Sequence, residues 1–404
     1  MSNDNYKIIP YDPSYYESFK KLSKSFHEFH PSNYIYHTQE IFEYLYKGFG
    51  HNDSSSLIIV NKKNEVLGFR GAIPSLYQLP VNDTSYEIIK GNGITGWIMK
   101  QDNSLPKGIG LKLHNLVHES SNLTVAACFG GDLSLEVYKM NKFNIINNLN
   151  RYVIPLNNKN YKSVINSEYD SNLIDLWSEK VENSLISSEF CKPRKIKANE
   201  LEKLWIKVSK YKKIFGLYKN KDYWNWRYIN CPYYEYLFFG DPEKTGILIA
   251  RIERIFNFKS NSTTEIDKTD HNYNKKILRI IEIIPSNIDS WQKNIDDNYN
   301  TLLLSVLKWA KLEGCIAADY QFSDLLFNKQ LENAGFRSQN AKYEPAECSL
   351  AGLFQPYKQK VYPINVAWKL NHKNITREDF KHMVPYFTKS DVAGDYPKYW
   401  PRIS

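Results

Sequence analysis

One short pattern occurs twice in this chain. Ala126-Ala127-Cys128-Phe129 is an apolar run that leads into a helix-like segment ending in the aromatic turn Lys142-Phe143, and Ala317-Ala318-Asp319-Tyr320 leads in the same way to Gly335-Phe336. A duplicated strand–helix unit constrains the fold strongly, because it means that one architecture is used twice. The surrounding elements agree. In the first half, periodicity predicts a strand at 6–10, helices over 13–29 and 37–46, extended segments at 56–60, 66–73 and 86–99, a helix from about 108 to 118, a strand at 123–128, a helix at 133–140 and a closing strand at 152–156. In the second half it predicts a helix over 201–214, strands at 236–239, 246–256 and 277–284, a helix over 300–313, a strand at 316–320, a helix over 324–334 and a closing strand at 366–369. Residues 157–190, rich in Asn, Ser, Lys and Glu, read as a connector with one helical piece at 173–185, and 257–275 as a loose hairpin loop.

A length of 404 residues exceeds what one core spans, so two or three domains are expected. With 42% hydrophobic and 15% aromatic residues there is material for packed cores, which excludes a disordered chain. No apolar run approaches the roughly 18 residues of a membrane span. The N-terminal residues Met1 to Tyr6 lack the basic-then-apolar order of a signal peptide. The five cysteines are widely spaced and form no C-x-x-C pair, which points to reduced thiols in a cytoplasm. The net charge of +9 fits an anionic partner, but the lysines are scattered and no run of five basic residues occurs. That distribution disfavours nucleic acid, while a CoA thioester or a sugar nucleotide is also polyanionic.

The segment from Gly96 to Leu113 runs strand, loop, glycine turn, helix. Glycines let backbone approach a ligand, and a helix start adds unpaired N–H groups and a positive dipole end. Lys107, Gly108, Ile109, Gly110 and Leu111 are therefore candidates to hold a diphosphate, with Lys112 adding charge. The bare G-x-G is a weak motif, and Gly91-Asn92-Gly93 is a second instance; an ordinary glycine turn is the competing account, and the flanking strand and helix favour the first. Tyr138, in the next helix, could protonate a leaving thiolate, although with thirty tyrosines a core role competes. His114 and His118 lie four apart but in H-N-L-V-H, without the Glu of a zinc protease, so they are expected on a surface helix and no metal is expected. The aromatic stretch 223–228 is expected to pack as a helix face rather than to stack a base or sugar.

Together the glycine turn and the Tyr138 helix resemble the CoA-binding core of the GNAT superfamily, with its R/Q-x-x-G-x-G/A loop and later Y-x-x-x-G-F helix. Gly108 and Gly110 match the glycines, Leu105 replaces the usual Arg or Gln, Tyr138 and Phe143 match, and Lys142 replaces Gly. The resemblance implies an α+β fold of two tandem GNAT-like domains, each a mixed, mostly antiparallel sheet flanked by helices. The domains are expected at 1–156 and 191–404. It also implies that the strand through Ile98 and Met99 pairs with the pantetheine arm and offers an N–H to the thioester oxygen, and that Tyr138 is the general acid. Asp132 and Glu87 are candidate bases. The second half has Leu331 in place of the tyrosine and Pro285-Ser286-Asn287-Ile288 in place of the glycine loop, so one acyl-CoA site is expected, in the first half. Through residues 222–228 and 386–391 the chain is similar to bacterial tandem-GNAT enzymes that acylate the amine of a nucleotide-linked deoxyamino sugar for surface polysaccharide. A Fem-type aminoacyl-tRNA-dependent transferase and a non-catalytic binding module are the other readings, and a homo-oligomer is left open.

Overall fold

The structure is a computed structural model, which describes residues 6–29, 38–49, 55–81, 85–101, 105–129, 132–147, 149–164, 171–257, 259–260, 265–287, 297–323, 328–338, 364–371, 383–388 and 391. Strand β1 (Tyr6–Pro10), helices α1 (Tyr16–Phe29) and α2 (Gln39–Lys47), and strands β2 (Leu57–Asn61), β3 (Val66–Pro80) and β4 (Tyr86–Met99) come first. Helix α3 (Ile109–Glu119), β5 (Leu123–Phe129), α4 (Asp132–Met140), β6 (Asn144–Ile146) and β7 (Asn150–Pro155) follow, then α5 (Asn158–Lys162), α6 (Ser171–Ile186), α7 (Ala198–Lys212), β8 (Ile214–Leu217) and α8 (Lys221–Trp224). Past a π-helical turn at Asn225–Ile229 come β9 (Leu237–Asp241), β10 (Gly246–Arg254), β11 (Lys276–Ile284), α9 (Asp297–Leu312), β12 (Cys315–Phe322), α10 (Asn328–Asn333), β13 (Arg337–Ser338), β14 (Ile364–Leu370) and β15 (Val384–Pro385).

Among the described residues these strands form two mixed sheets. The first runs β1-β2-β3-β4-β5-β14-β6, with β8 beside β3 and β15 beside β8; the second runs β13-β7-β12-β11-β10-β9. The β4/β5 and β11/β12 pairs are parallel and most of the others antiparallel, the fold class that the sequence predicts.

The first sheet is covered on both faces at β2 and β3. Phe19 of α1 and Phe42 and Tyr46 of α2 pack against Phe69, Ile73 and Ile98 on one face, and Ile109 and Leu113 of α3 pack on Ile59 and Leu67 on the other. That explains why β3 is buried almost throughout instead of alternating. Burial of a side chain such as Phe42 contributes about 1.5–3 kcal/mol.

Three placements differ from the sequence reading. Strand β7, expected to close the first half, pairs instead with β12 from Ala317↔Pro155 to Phe322↔Asn150. Strand β14, expected to close the second, pairs with β5 from Ile364↔Phe129 to Leu370↔Leu123. The halves thus exchange their closing strands. Both are short apolar runs, and nothing local in such a run specifies which sheet edge it joins. Residue 214, expected to end a helix, instead begins β8, whose Leu217 and Gly216 pair with Tyr77 and Gln78 of β3.

Candidate active site

Strands β4 and β5 are hydrogen-bonded only from Gly91↔Leu123 to Ile94↔Ala126. Beyond Ile94 they part, although β4 runs on to Met99 and β5 to Phe129. At that point β4 carries a bulge. Arg70 of β3 faces Trp97 and Ala72 faces Ile94, so Thr95 and Gly96 stand together against Gly71. A bulge turns local N–H and C=O groups out of the ladder. Gly71 makes room for it, since a Cβ there would lie 2.3 Å from Thr95 Oγ1 and 2.6 Å from the Tyr46 ring.

The glycine turn leads into α3. Gly108 caps the helix at φ 81°, ψ −5°, a left-handed conformation that suits glycine, and a Cβ there would meet nothing within 4 Å. Ile109 is buried against Ile59 and Leu67 and fixes the start of the helix, while Lys107, Leu111 and Lys112 are exposed. The N–H groups of Gly110 and Leu111 have no hydrogen-bond acceptor among the described residues, as expected in a first helical turn without a side-chain cap. Gly110 has a packing role as well, because its missing Cβ would come 3.4 Å from Trp97 Nε1.

Beneath α3 lies a buried polar group that the sequence reading missed. The Arg70 guanidinium donates from Nη1 to the bulge carbonyl of Thr95 at 2.6 Å and from Nη2 to the Tyr138 phenol at 2.6 Å, and Nη2 lies 3.3 Å from His114 Nδ1. It also sits 5.0 Å from the Trp97 ring, which stacks on His114. Thr95 Oγ1 and Tyr46 OH are 2.8 Å apart. Burial pushes the Tyr138 phenol above its ordinary pKa, and the Arg70 charge opposes this. One signal was available in the sequence: a single arginine within the apolar run 66–73. Such a charge is buried only with partners.

His114 and His118 are 0% and 6% exposed, which corrects their expected place on a surface helix. They lie on the inner face of α3 with Leu113 and Val117. Burial, then the Arg70 charge, lowers His114 to about 3, and burial lowers His118 to about 4, so the fold keeps both neutral.

The remaining predicted residues scatter. Ile98 is 1% exposed and packs toward α1 and α2, and Met99 lies beside Gly110. Asp132 begins α4, two turns before Tyr138; its side chain lies outside the described residues. Glu87 faces Leu79 near the β3–β4 turn, at the opposite end of β4 from the bulge. At about 3.3 Å per strand residue it is more than roughly 25 Å from Thr95, so the structure does not bring it to Tyr138. The aromatic stretch packs inward as expected: Tyr223, Trp224 and Tyr228 are buried.

In the second sheet β11 and β12 likewise part after Ile280↔Tyr320, and β11 carries a bulge at Ile281. There the chain itself fills the gap. Tyr386 OH donates to Glu282 on β11 and lies 3.2 Å from Tyr320 OH on β12, and Thr388 bridges to Phe322. Lys219 pairs with Glu282 and, at 3.0 Å, with Asp391, all fully or nearly buried. Among the described residues no group of three metal-binding side chains converges, and no helix is long and apolar enough to cross a membrane.

No protein-family model and no curated protein sequence matches this chain. Solved structures do. N-myristoyltransferase from Saccharomyces cerevisiae with bound myristoyl-CoA superposes with a TM-score of 0.52 at 10% identity, covering 90% of this chain and 79% of that one. The same enzyme with myristoyl-CoA and inhibitors gives 0.53 at 11%, covering 91% and 80%. A GCN5-related N-acetyltransferase from Anabaena variabilis gives 0.47 at 12%, covering 90% and 72%. At such identities the likeness concerns the fold, and in the N-myristoyltransferase comparisons it extends over both sheets.

Proposed function

We propose that this chain is an acyl-CoA-dependent N-acyltransferase whose site is the parting of β4 and β5. The observation that carries this reading is one juxtaposition: a strand parting with a bulge, the Tyr138 phenol held beside it, and unpaired N–H groups at the Gly108–Leu111 turn. The likeness in fold to an enzyme solved with bound myristoyl-CoA supports it. The turn holds the diphosphate through backbone N–H groups and the helix dipole, with Lys107 and Lys112 adding charge. A neutral amine attacks the thioester carbonyl. N–H groups of β4 beyond Ile94, at the bulge and toward Ile98 and Met99, take the oxyanion. The C–S bond breaks, the thiolate takes the Tyr138 proton, and Asp132 or a water accepts the ammonium proton. The acceptor in this reading is the amine of a nucleotide-linked amino-deoxy sugar, which the net charge of +9 and the sequence resemblance support.

Calorimetry with CoA tests the first step: one site is expected, and absence of heat at millimolar CoA removes the reading. Thiol release from acetyl- and longer acyl-CoAs, with dTDP-amino sugars as acceptors, tests the second. Tyr138→Phe is expected to lower kcat by about 10²–10⁴ with CoA affinity retained; undiminished turnover would strip Tyr138 of its role.

A further inference from the structure

The geometry points to Arg70 as the positioning residue that couples the two halves of this site, holding the bulge of β4 and the phenol of Tyr138 with one guanidinium. The inference rests on the acyl-transfer reading above and adds a residue that reading does not use. The two contacts, Nη1 to Thr95 O and Nη2 to Tyr138 OH, are both 2.6 Å, and Arg70 is 2% exposed. A planar guanidinium can make two such contacts in a fixed relation, whereas an ammonium on a flexible stem acts as a point charge. Trp97 against one side and His114 beside Nη2 restrict its rotation.

Two consequences follow. By fixing the Thr95 carbonyl, Arg70 fixes the peptide plane that begins the bulge and so aims the N–H of Gly96. By donating to the phenol oxygen, it occupies an acceptor lone pair and leaves the phenolic hydrogen to be given away. That hydrogen has no acceptor among the described residues. In the step itself the C–S bond electrons leave with sulfur, sulfur takes the proton from Tyr138, and the phenolate produced lies against the guanidinium. Arg70 thereby offsets the cost of charge on a buried tyrosine.

The other titratable groups facing the phenol are Cys128 of β5 and His114 of α3, and Lys369 of β14 faces the histidine. Burial pushes the Cys128 thiol up to about 12, while His114 lies at about 3, so neither changes charge near neutrality. A change in the phenol's acidity on substituting Arg70 therefore reports Arg70 itself.

The test places a polyfluorinated tyrosine, whose phenol titrates nearer neutrality, at position 138 of the full chain and follows it by ¹⁹F NMR. Arg70→Gln is expected to raise its titration midpoint by about one unit or more, a tenfold change in acidity, and Arg70→Lys by less. With natural tyrosine, Arg70→Gln is expected to lower kcat by about a hundredfold with unchanged KM for acyl-CoA and to shift the pH profile of kcat, and Arg70→Lys to restore part of it. If Arg70→Gln does not fold, the Lys variant alone decides. An unmoved midpoint overturns the inference. Failure of the wild-type protein to bind CoA or release thiol overturns the proposed function instead, and the ¹⁹F midpoint still decides whether Arg70 governs the phenol.

Discussion

The neutral histidines under α3 link packing to pH. A histidine held neutral by burial is a base with a depressed folded pKa, against about 6.5 when unfolded. Above pH 6.5 both states are neutral and the pair contributes no pH dependence. As pH falls through 6.5 the unfolded chain takes protons that the fold refuses, and stability drops by about 1.4 kcal/mol per pH unit for each histidine, down to about pH 4 for His118 and 3 for His114. Glu282 acts in the opposite sense. Burial raises it from 4.5 to about 7, so its contribution to stability is present at low pH and lost as pH rises through that window. Between pH 4.5 and 6.5 two protons taken up by the unfolded chain oppose one held by the folded chain. His114→Phe is therefore expected to lessen the fall of the urea midpoint as pH drops through that range, relative to wild type, by the equivalent of about one proton. An unchanged slope would show that His114 is protonated in the fold.

The bulge in β4 depends on a small residue opposite it. Gly71→Ala puts a methyl group into the Tyr46–Thr95 contact, and either the tyrosine or the bulge must shift. Overpacking of this kind costs about 1–3 kcal/mol. The variant is expected to lower the urea midpoint and, if the bulge supplies the oxyanion N–H groups as proposed, also to reduce turnover; a loss of stability with full kcat would separate the bulge from the chemistry. Neither the bulge nor its partner was legible in the sequence. The apolar pattern delimits β4 at 86–99, and the glycine and periodicity delimit α3, because those signals are local. A bulge is a mismatch between two strands, visible only once Arg70 is set against Trp97 and Ala72 against Ile94. Glu87 illustrates a related point: it lies on the same strand but faces Leu79 at the end away from the bulge, and a residue's place in a strand pattern does not say which end meets which partner.

The exchange of β7 and β14 makes each sheet depend on the other half of the chain. Strand β14 lies between β5 and β6 and buries Ile364, Val366 and Ala367 completely. Residues 1–156 alone would leave those partners uncovered and turn β5 into an open edge, a template for aggregation. Residues 157–404 alone would lack β7, the strand joining β12 to β13, along with Val153 and Ile154, which are fully buried. Each core is thus completed by residues distant in sequence, and neither should melt while the other stays folded. The full chain is expected to unfold in one calorimetric transition whose measured enthalpy equals the van't Hoff value, and the fragment 1–156 to lack dispersed amide resonances. The two halves of the sequence motif would then be one cooperative unit, and a mutation in the packed second parting, such as Lys219→Met, would lower the melting temperature of the first. Two resolved transitions, or a folded fragment, would mean that the exchanged strands are dispensable attachments to cores able to close without them.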